Sequence, residues 1–194
     1  MHAAALYQAA RRHLKAHPRA FKTCLPLLED AAAKGYAPAQ YALATWYLFG
    51  RAVARNCRKA VRLLKAAAKS GHKEALYDLA VCYETGMGVV RNLKIAAAYY
   101  RCSARKGDRQ AAMEAGRCYH YGIGVKADLA RAVGYYRSAA TRGDPEAQYA
   151  YARALELGQG TRVSLRHARH WYAKAAAAGH KAALQAIQNL QDAR

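Results

Sequence analysis

Residues 71–106 read GHKEALYDLAVCYETGMGVVRNLKIAAAYYRCSARK, and residues 107–142 read GDRQAAMEAGRCYHYGIGVKADLARAVGYYRSAATR. The second string restarts the first without a gap. Gly71 aligns with Gly107, Ala75 with Ala111, Tyr83 with Tyr119, and Gly86-Met87-Gly88-Val89 with Gly122-Ile123-Gly124-Val125. The frame extends upstream to Gly35 and downstream to Gly143 and Gly179. Four complete units of 36 residues therefore cover 35–178, and a fifth begins at Gly179. A fixed period of this size marks stacked helical repeats, in which each unit buries its apolar face against its neighbours. Such a chain presents a long surface, which points to binding before it points to chemistry.

With the marker glycine as position one, each unit reads as helix, glycine loop, helix. Positions five, nine, twelve, thirteen and sixteen follow the rhythm of an amphipathic helix. Position five is always alanine (Ala39, Ala75, Ala111, Ala147), as is position twenty-six (Ala60, Ala96, Ala132, Ala168), so helices are expected to approach closely there. Gly50, Gly86, Gly122 and Gly158 at position sixteen end the first helix, because glycine takes the left-handed conformation cheaply. Asn56, Asn92, Asp128 and Ser164 at position twenty-two are expected N-caps of the second helix. Asp108 and Asp144 are expected caps of first helices, with Pro145 in a first turn that tolerates it. The pairs Leu63-Leu64, Tyr99-Tyr100, Tyr135-Tyr136 and Trp171-Tyr172 fill the space between repeats. Residues 1–34 fit the frame in degraded form, with Phe21, Cys24 and Leu27-Leu28 in repeat slots and Ala16-His17-Pro18-Arg19 in place of the glycine loop. The expected organisation is one domain: a degenerate helical pair at 1–34, repeats at 35–70, 71–106, 107–142 and 143–178, and a capping helix within 179–194.

The combination Gly-x-x-x-Ala, a tyrosine at position thirteen and Gly-x-Gly-Val resembles the Sel-1-like repeat family, relatives of the tetratricopeptide repeats. The departures are modest: Arg51-Ala52-Val53 and Gln159-Gly160-Thr161 blur two loops, and Leu155 replaces a tyrosine. The resemblance implies an all-α, right-handed superhelical solenoid with first helices on the concave side and second helices outside. It implies adaptor and scaffold roles. A secreted, cysteine-rich subgroup has been linked to penicillin binding and β-lactam hydrolysis, and places cysteine pairs eight residues apart in each repeat. Here Cys102 would need its partner at Gln110, so the resemblance to that subgroup fails.

The five cysteines are odd in number and contain no Cys-x-x-Cys. Cys82 and Cys118 share position twelve with Trp46 and Ala154, which reads as a packing slot in which cysteine acts as a small hydrophobe. Reduced thiols are expected, with a disulfide framework as the alternative. The start of the chain has no basic segment followed by an apolar one, and a cytoplasmic location is expected.

Net charge is +20, and it is unevenly placed. The second-helix windows 57–70, 93–106, 129–142 and 165–178 hold fifteen Lys or Arg and no acid. The first-helix windows 36–49, 72–85, 108–121 and 144–157 hold four bases and eight acids. Two readings stay open: a solvated face of Ala-rich helices, or electrostatic docking on nucleic acid or an anionic membrane. The expected partner is instead a protein or peptide on the first-helix face. Positions four, seven, eight, eleven and fourteen are expected to point away from the packing slots there. They offer Tyr41, Thr45, Tyr77, Asp78, Val81, Glu84, Met113, Glu114, Arg117, His120, Tyr149, Arg153 and Glu156. A row of tyrosines with changing polar neighbours suits a peptide groove, or else packs one first helix against the next.

No catalytic residue, cofactor or metal site is expected. The Gly-x-Gly pairs follow helices and recur with the repeat, so they are turns and not phosphate loops. His13 with His17 and His167 with His170 share helix faces but lack a further ligand at suitable spacing.

Overall fold

The computed structural model describes residues 2–192, and within them all regular structure is helical. Residues 1, 193 and 194 of the expected terminal elements lie outside the described range. The chain divides into two compact units, 1–92 and 93–194, and the division falls inside the second repeat. The first unit holds α1 (Ala3–Ala16), α2 (Phe21–Ala33), α3 (Ala37–Phe49), α4 (Cys57–Lys69) and α5 (Lys73–Thr85). The second holds α6 (Leu93–Arg105), α7 (Arg109–Tyr121), α8 (Leu129–Thr141), α9 (Pro145–Leu157), α10 (Leu165–Ala177) and α11 (Lys181–Asp192).

The repeat slots fall as their chemistry requires. The alanines at positions five and twenty-six are all buried. Position thirty is the inner member of each pair: Leu64, Tyr100, Tyr136 and Tyr172 are buried, while Leu63, Tyr99, Tyr135 and Trp171 are half-buried. Trp46, Cys82, Cys118 and Ala154 at position twelve are all buried, as a packing slot demands. Cys24 is buried in the degenerate pair, where its thiol meets the Ala10 carbonyl at 3.6 Å. Helix α2 runs through Pro26, which lies on the exposed side. At the other end, Ala183 is buried beside Tyr172 and Ala175, and Ile187 and Leu190 of α11 pack on the same cluster.

Four of the expected caps make the side-chain bond that defines them. The side chains of Asn56, Asp108, Asp128 and Asp144 each accept a hydrogen bond from a backbone N–H three residues on, at 2.8–2.9 Å. Ser164 also holds the expected N-cap position, with α10 starting at Leu165, but its side chain does not complete the cap. Its hydroxyl lies 2.7 Å from His167 Nδ1 and makes no capping bond. The imidazole one turn on competes for the hydroxyl that would cap α10.

Position eighteen proves to be more than a turn. Gly88, Gly124 and Gly160 have φ of +74°, +68° and +71°. A Cβ on Gly88 would sit 2.4 Å from the Cys57 carbonyl oxygen, and one on Gly124 would sit 2.1 Å from that of Leu93. One on Gly160 would lie 2.3 Å from the Leu129 carbonyl. Each of these partners opens the second helix of the preceding repeat. The loop backbone thus rests on the backbone of the neighbouring unit. The marker glycines differ: at Gly35, Gly107, Gly143 and Gly179 φ is also positive, but a Cβ would meet nothing within 4 Å.

Two outcomes follow from these placements. Gly124→Ala should cost about 2–4 kcal/mol, combining left-handed strain with overpacking against backbone that cannot yield. Gly143→Ala should cost about 1–2 kcal/mol, the strain alone. Equal losses in urea melts would remove the inter-repeat contact from the account. Thiol titration supplies the second check. Burial, with Asp78 and Cys57 adding to it, pushes the Cys82 thiol up to about 11. In native protein Cys57 and Cys102, both half-buried, should react with an aromatic disulfide reagent well before Cys24, Cys82 and Cys118. All five should react in denaturant.

Candidate functional site

Successive first helices α7 and α9 carry their variable positions on one side of the second unit. Position ten governs how deeply the neighbouring second helix can enter. It is Ala44, Ala80 and Ala152 in three repeats and Gly116 in the fourth. A Cβ on Gly116 would stand 2.5 Å from the Tyr136 ring, so the missing methyl lets Tyr136 of α8 settle against α7. Above that ring opens a cleft of about 380 Å³. Met113, Arg117 and His120 of α7 wall it on one side, and Tyr149 and Arg153 of α9 on the other. Val133 and Tyr136 of α8 also line it.

Five of the thirteen residues singled out in the sequence therefore line one cleft. Arg117 Nε pairs with Glu114 Oε2 at 2.6 Å, which places Glu114 beside it. Arg153 is exposed. Glu156 turns to the packing side, where it accepts the Tyr172 hydroxyl at 2.6 Å. Burial first, and this bond second, push the Tyr172 phenol well above its usual range. In the first unit, Tyr41, Thr45, Tyr77, Asp78, Val81 and Glu84 are half-buried on α3 and α5. Thr45 donates to the Ala42 carbonyl at 2.7 Å, within its own helix. Leu48, at position fourteen of the first complete repeat, is buried.

The position-seven tyrosines show a recurrent contact. Tyr41 stacks on His72 with ring centroids 4.7 Å apart and planes at 27°. Tyr149 stacks on His180 at 4.4 Å and 19°. Both histidines hold position two of the following repeat. One face of each tyrosine is thus committed to its neighbour, while Tyr149 still lines the cleft. His72 Nδ1 lies 3.2 Å from Glu74 Oε2, and His180 Nε2 lies 3.1 Å from Glu146 Oε2. Glu146 is another cleft residue, as are Tyr121 and Gln159; the sequence singled out none of them by name, although Glu146 holds position four of the expected face. Tyr121, 70% exposed at the end of α7, was the most visible signal, since an exposed tyrosine beside His120 (ring centroids 4.5 Å) marks a rim.

The family model for the Sel1 repeat matches residues 37–72, 73–108, 109–144 and 145–180. The chain belongs to the Sel1 repeat family. Proteins of this family are generally protein-interaction scaffolds and typically non-catalytic. Among solved structures, a protective antigen of uropathogenic Escherichia coli with the same repeat fold is 35% identical, with a TM-score of 0.77 over 80% of this chain. A Sel1 repeat protein from Oxalobacter formigenes is 29% identical, with a TM-score of 0.82 over 88% of this chain. This chain spans 33% and 49% of those two proteins. Cysteine rich protein B of Helicobacter pylori shares the fold at 24% identity, with a TM-score of 0.51 over 62% of this chain and 91% of its own. No curated protein matches the chain. Among the described residues no helix is long and apolar enough to cross a membrane, and no group of three or more metal-ligating side chains converges.

The Tyr41–His72 stack carries a pH signature. Burial lowers the His72 pKa, Glu74 opposing that shift and Lys73 adding to it. A histidine whose folded pKa is depressed contributes stability that is complete above the unfolded value near 6.5 and is lost as pH falls through the folded value. His72→Phe keeps a ring for Tyr41 and removes the titration. Its melting temperature should therefore fall less than that of the parent between pH 7.5 and pH 5, as thermal melts would record.

Proposed function

We propose that this chain is a protein-interaction module that holds a peptide segment in the cleft between α7 and α9. The observation that supports this most is the convergence of Met113, Arg117, His120, Tyr149 and Arg153 on one concavity of about 380 Å³. Its volume lies at the small end of ligand clefts and suits one or two side chains of a docked segment. The mixture has a logic. Met113 and the Tyr149 ring offer adaptable and rigid apolar surface, while Arg153 at the exposed edge offers a charge-assisted hydrogen bond to a carboxylate. Arg117 is held in place by Glu114, so its guanidinium is oriented before a ligand arrives. A peptide with an apolar side chain next to an acidic one fits this arrangement.

Docking on nucleic acid or an anionic membrane through the second helices is the alternative that charge alone raises. Tracking a strand by base stacking would need a run of exposed rings on those helices, whereas Tyr100, Tyr136 and Tyr172 are buried and Tyr99, Tyr135 and Trp171 are half-buried. The peptide reading therefore stands first.

Selection of a random phage-displayed peptide library against the whole chain tests it. Winning peptides should pair an acid with an apolar residue. Arg153→Glu, a change at an exposed position, should weaken them at least tenfold with the melting temperature unchanged. A photo-crosslinker in place of Tyr121 should capture them. Peptides that tolerate Arg153→Glu and escape the crosslinker would place binding elsewhere.

A further inference from the structure

A second concavity, of about 710 Å³, lies on the other side of the same unit, between the second helices α6 and α8. Arg101 and Arg105 reach it from α6, and Arg131 and Arg142 from α8. Among the described residues, those lining it include no acid. The helical register explains the convergence. Arg101 and Arg105 are one turn apart, and Arg131, Tyr135, Ser138 and Arg142 advance by four, three and four residues along one face of α8.

The guanidiniums are organised by neutral groups for the most part. Arg101 Nη1 donates to the Tyr119 hydroxyl at 3.2 Å. Arg131 lies over the Tyr119 ring at 5.6 Å and pairs with Asp128 at 3.2 Å. Arg142 donates to the Ser138 carbonyl at 2.7 Å and also contacts its hydroxyl. Arg105 meets the Cys102 sulfur at 3.2 Å. Tyr119 and Tyr135 stack face to face beneath them, with centroids 5.7 Å apart and planes at 10°. Burial first and Tyr119 second raise the Tyr135 phenol, while Arg101, Arg105 and Arg131 pull against that shift, so three of the four cations act on this one phenol.

An independent feature points into the same space. Gly134 lies in the middle of α8, where glycine is less favourable than alanine. Gly116, the other mid-helix glycine described above, makes room for Tyr136. A Cβ on Gly134 would meet nothing within 4 Å, and Gly134 lines the arginine cleft. No packing partner needs that space.

We propose that this cleft binds a small ligand carrying consecutive phosphoryl groups. Four guanidiniums gathered in one cleft repel one another when it is empty. An oxyanion with several charged oxygens relieves the repulsion and accepts forked hydrogen bonds from more than one arginine. The concavity has the volume of a small-molecule site, and its cations converge on it instead of tracking a ridge as a duplex backbone would require. Free polyphosphate and a nucleoside triphosphate share this chemistry. The Tyr135 ring decides between them, since a base stacked on it would favour the nucleotide.

Calorimetric titration of the whole chain at physiological salt, with ionic strength matched, tests the proposal with tripolyphosphate, ATP, adenosine and sulfate. Tripolyphosphate should bind at least tenfold tighter than sulfate. ATP binding tighter again identifies a nucleotide site, and equal affinity identifies the phosphate chain as the recognised element. Arg101→Gln with Arg131→Gln should weaken tripolyphosphate at least tenfold. Gly134→Leu should do the same by filling the cleft, at a position where an added Cβ meets no neighbour and the helix is favoured. Arg62→Gln with Lys65→Gln on α4 removes the same charge elsewhere and should change affinity less than twofold. The proposal is overturned if sulfate binds as well as tripolyphosphate, if the α4 pair loses as much as the cleft pair, or if Gly134→Leu binds unchanged.

Discussion

The repeat stack depends on a backbone-to-backbone contact that a single methyl group would prevent. Gly88, Gly124 and Gly160 bring the loop of one repeat onto the first residue of the preceding second helix. The approach demands both a left-handed φ and the absence of Cβ, and glycine alone supplies both without strain. Everything variable in the molecule is arranged around this joint. Because spacing between units is set by main chain, side chains on either face can change without altering how a repeat meets its neighbour. Ala52 takes the same left-handed φ, 57°, at the equivalent place in the first complete repeat. The exception falls next to the degenerate pair, whose own loop has lost its glycines.

Much of this was legible in the sequence because the period multiplies the signal. An alanine at one helix position says little; the same alanine at Ala39, Ala75, Ala111 and Ala147 identifies a buried contact. The caps at Asn56, Asp108, Asp128 and Asp144 were readable for the same reason; Ser164 holds its cap position too, but its lost side-chain bond was not foreseeable because the competing His167 has no counterpart in the other repeats. The inner and outer members of the position twenty-nine and thirty pairs could not be told apart from pattern, since both are apolar. Their separation depends on which ring faces the preceding helix.

The candidate sites were less legible because they draw on more than one repeat. Tyr149 and Arg153 were visible as members of a series, but their meeting with Met113 and Arg117 required the placement of α7 against α9. Glu146 was hidden by its position near a helix start, where an acid is expected on dipole grounds alone. The arginine cleft escaped altogether. Arg101, Arg105, Arg131 and Arg142 hold four different repeat positions, so no column of the alignment reveals them. A count of second-helix charge found the excess without finding its focus. The two clefts divide the second unit chemically: mixed and aromatic between first helices, cationic between second helices.

The marker glycines have a consequence for how such chains grow. Gly107 and Gly143 sit where the backbone reverses between repeats, with open space around the missing side chain, while the contact that joins one repeat to the next lies in a different loop, the one between the two helices of a repeat. A further 36-residue segment inserted at such a point presents each flanking unit with the backbone surface it already met. Copy number is thus decoupled from interface design, and a gene can lengthen by whole-unit duplication without a compensating substitution. Divergence can then act on the duplicated clefts one at a time, leaving the original ones in use.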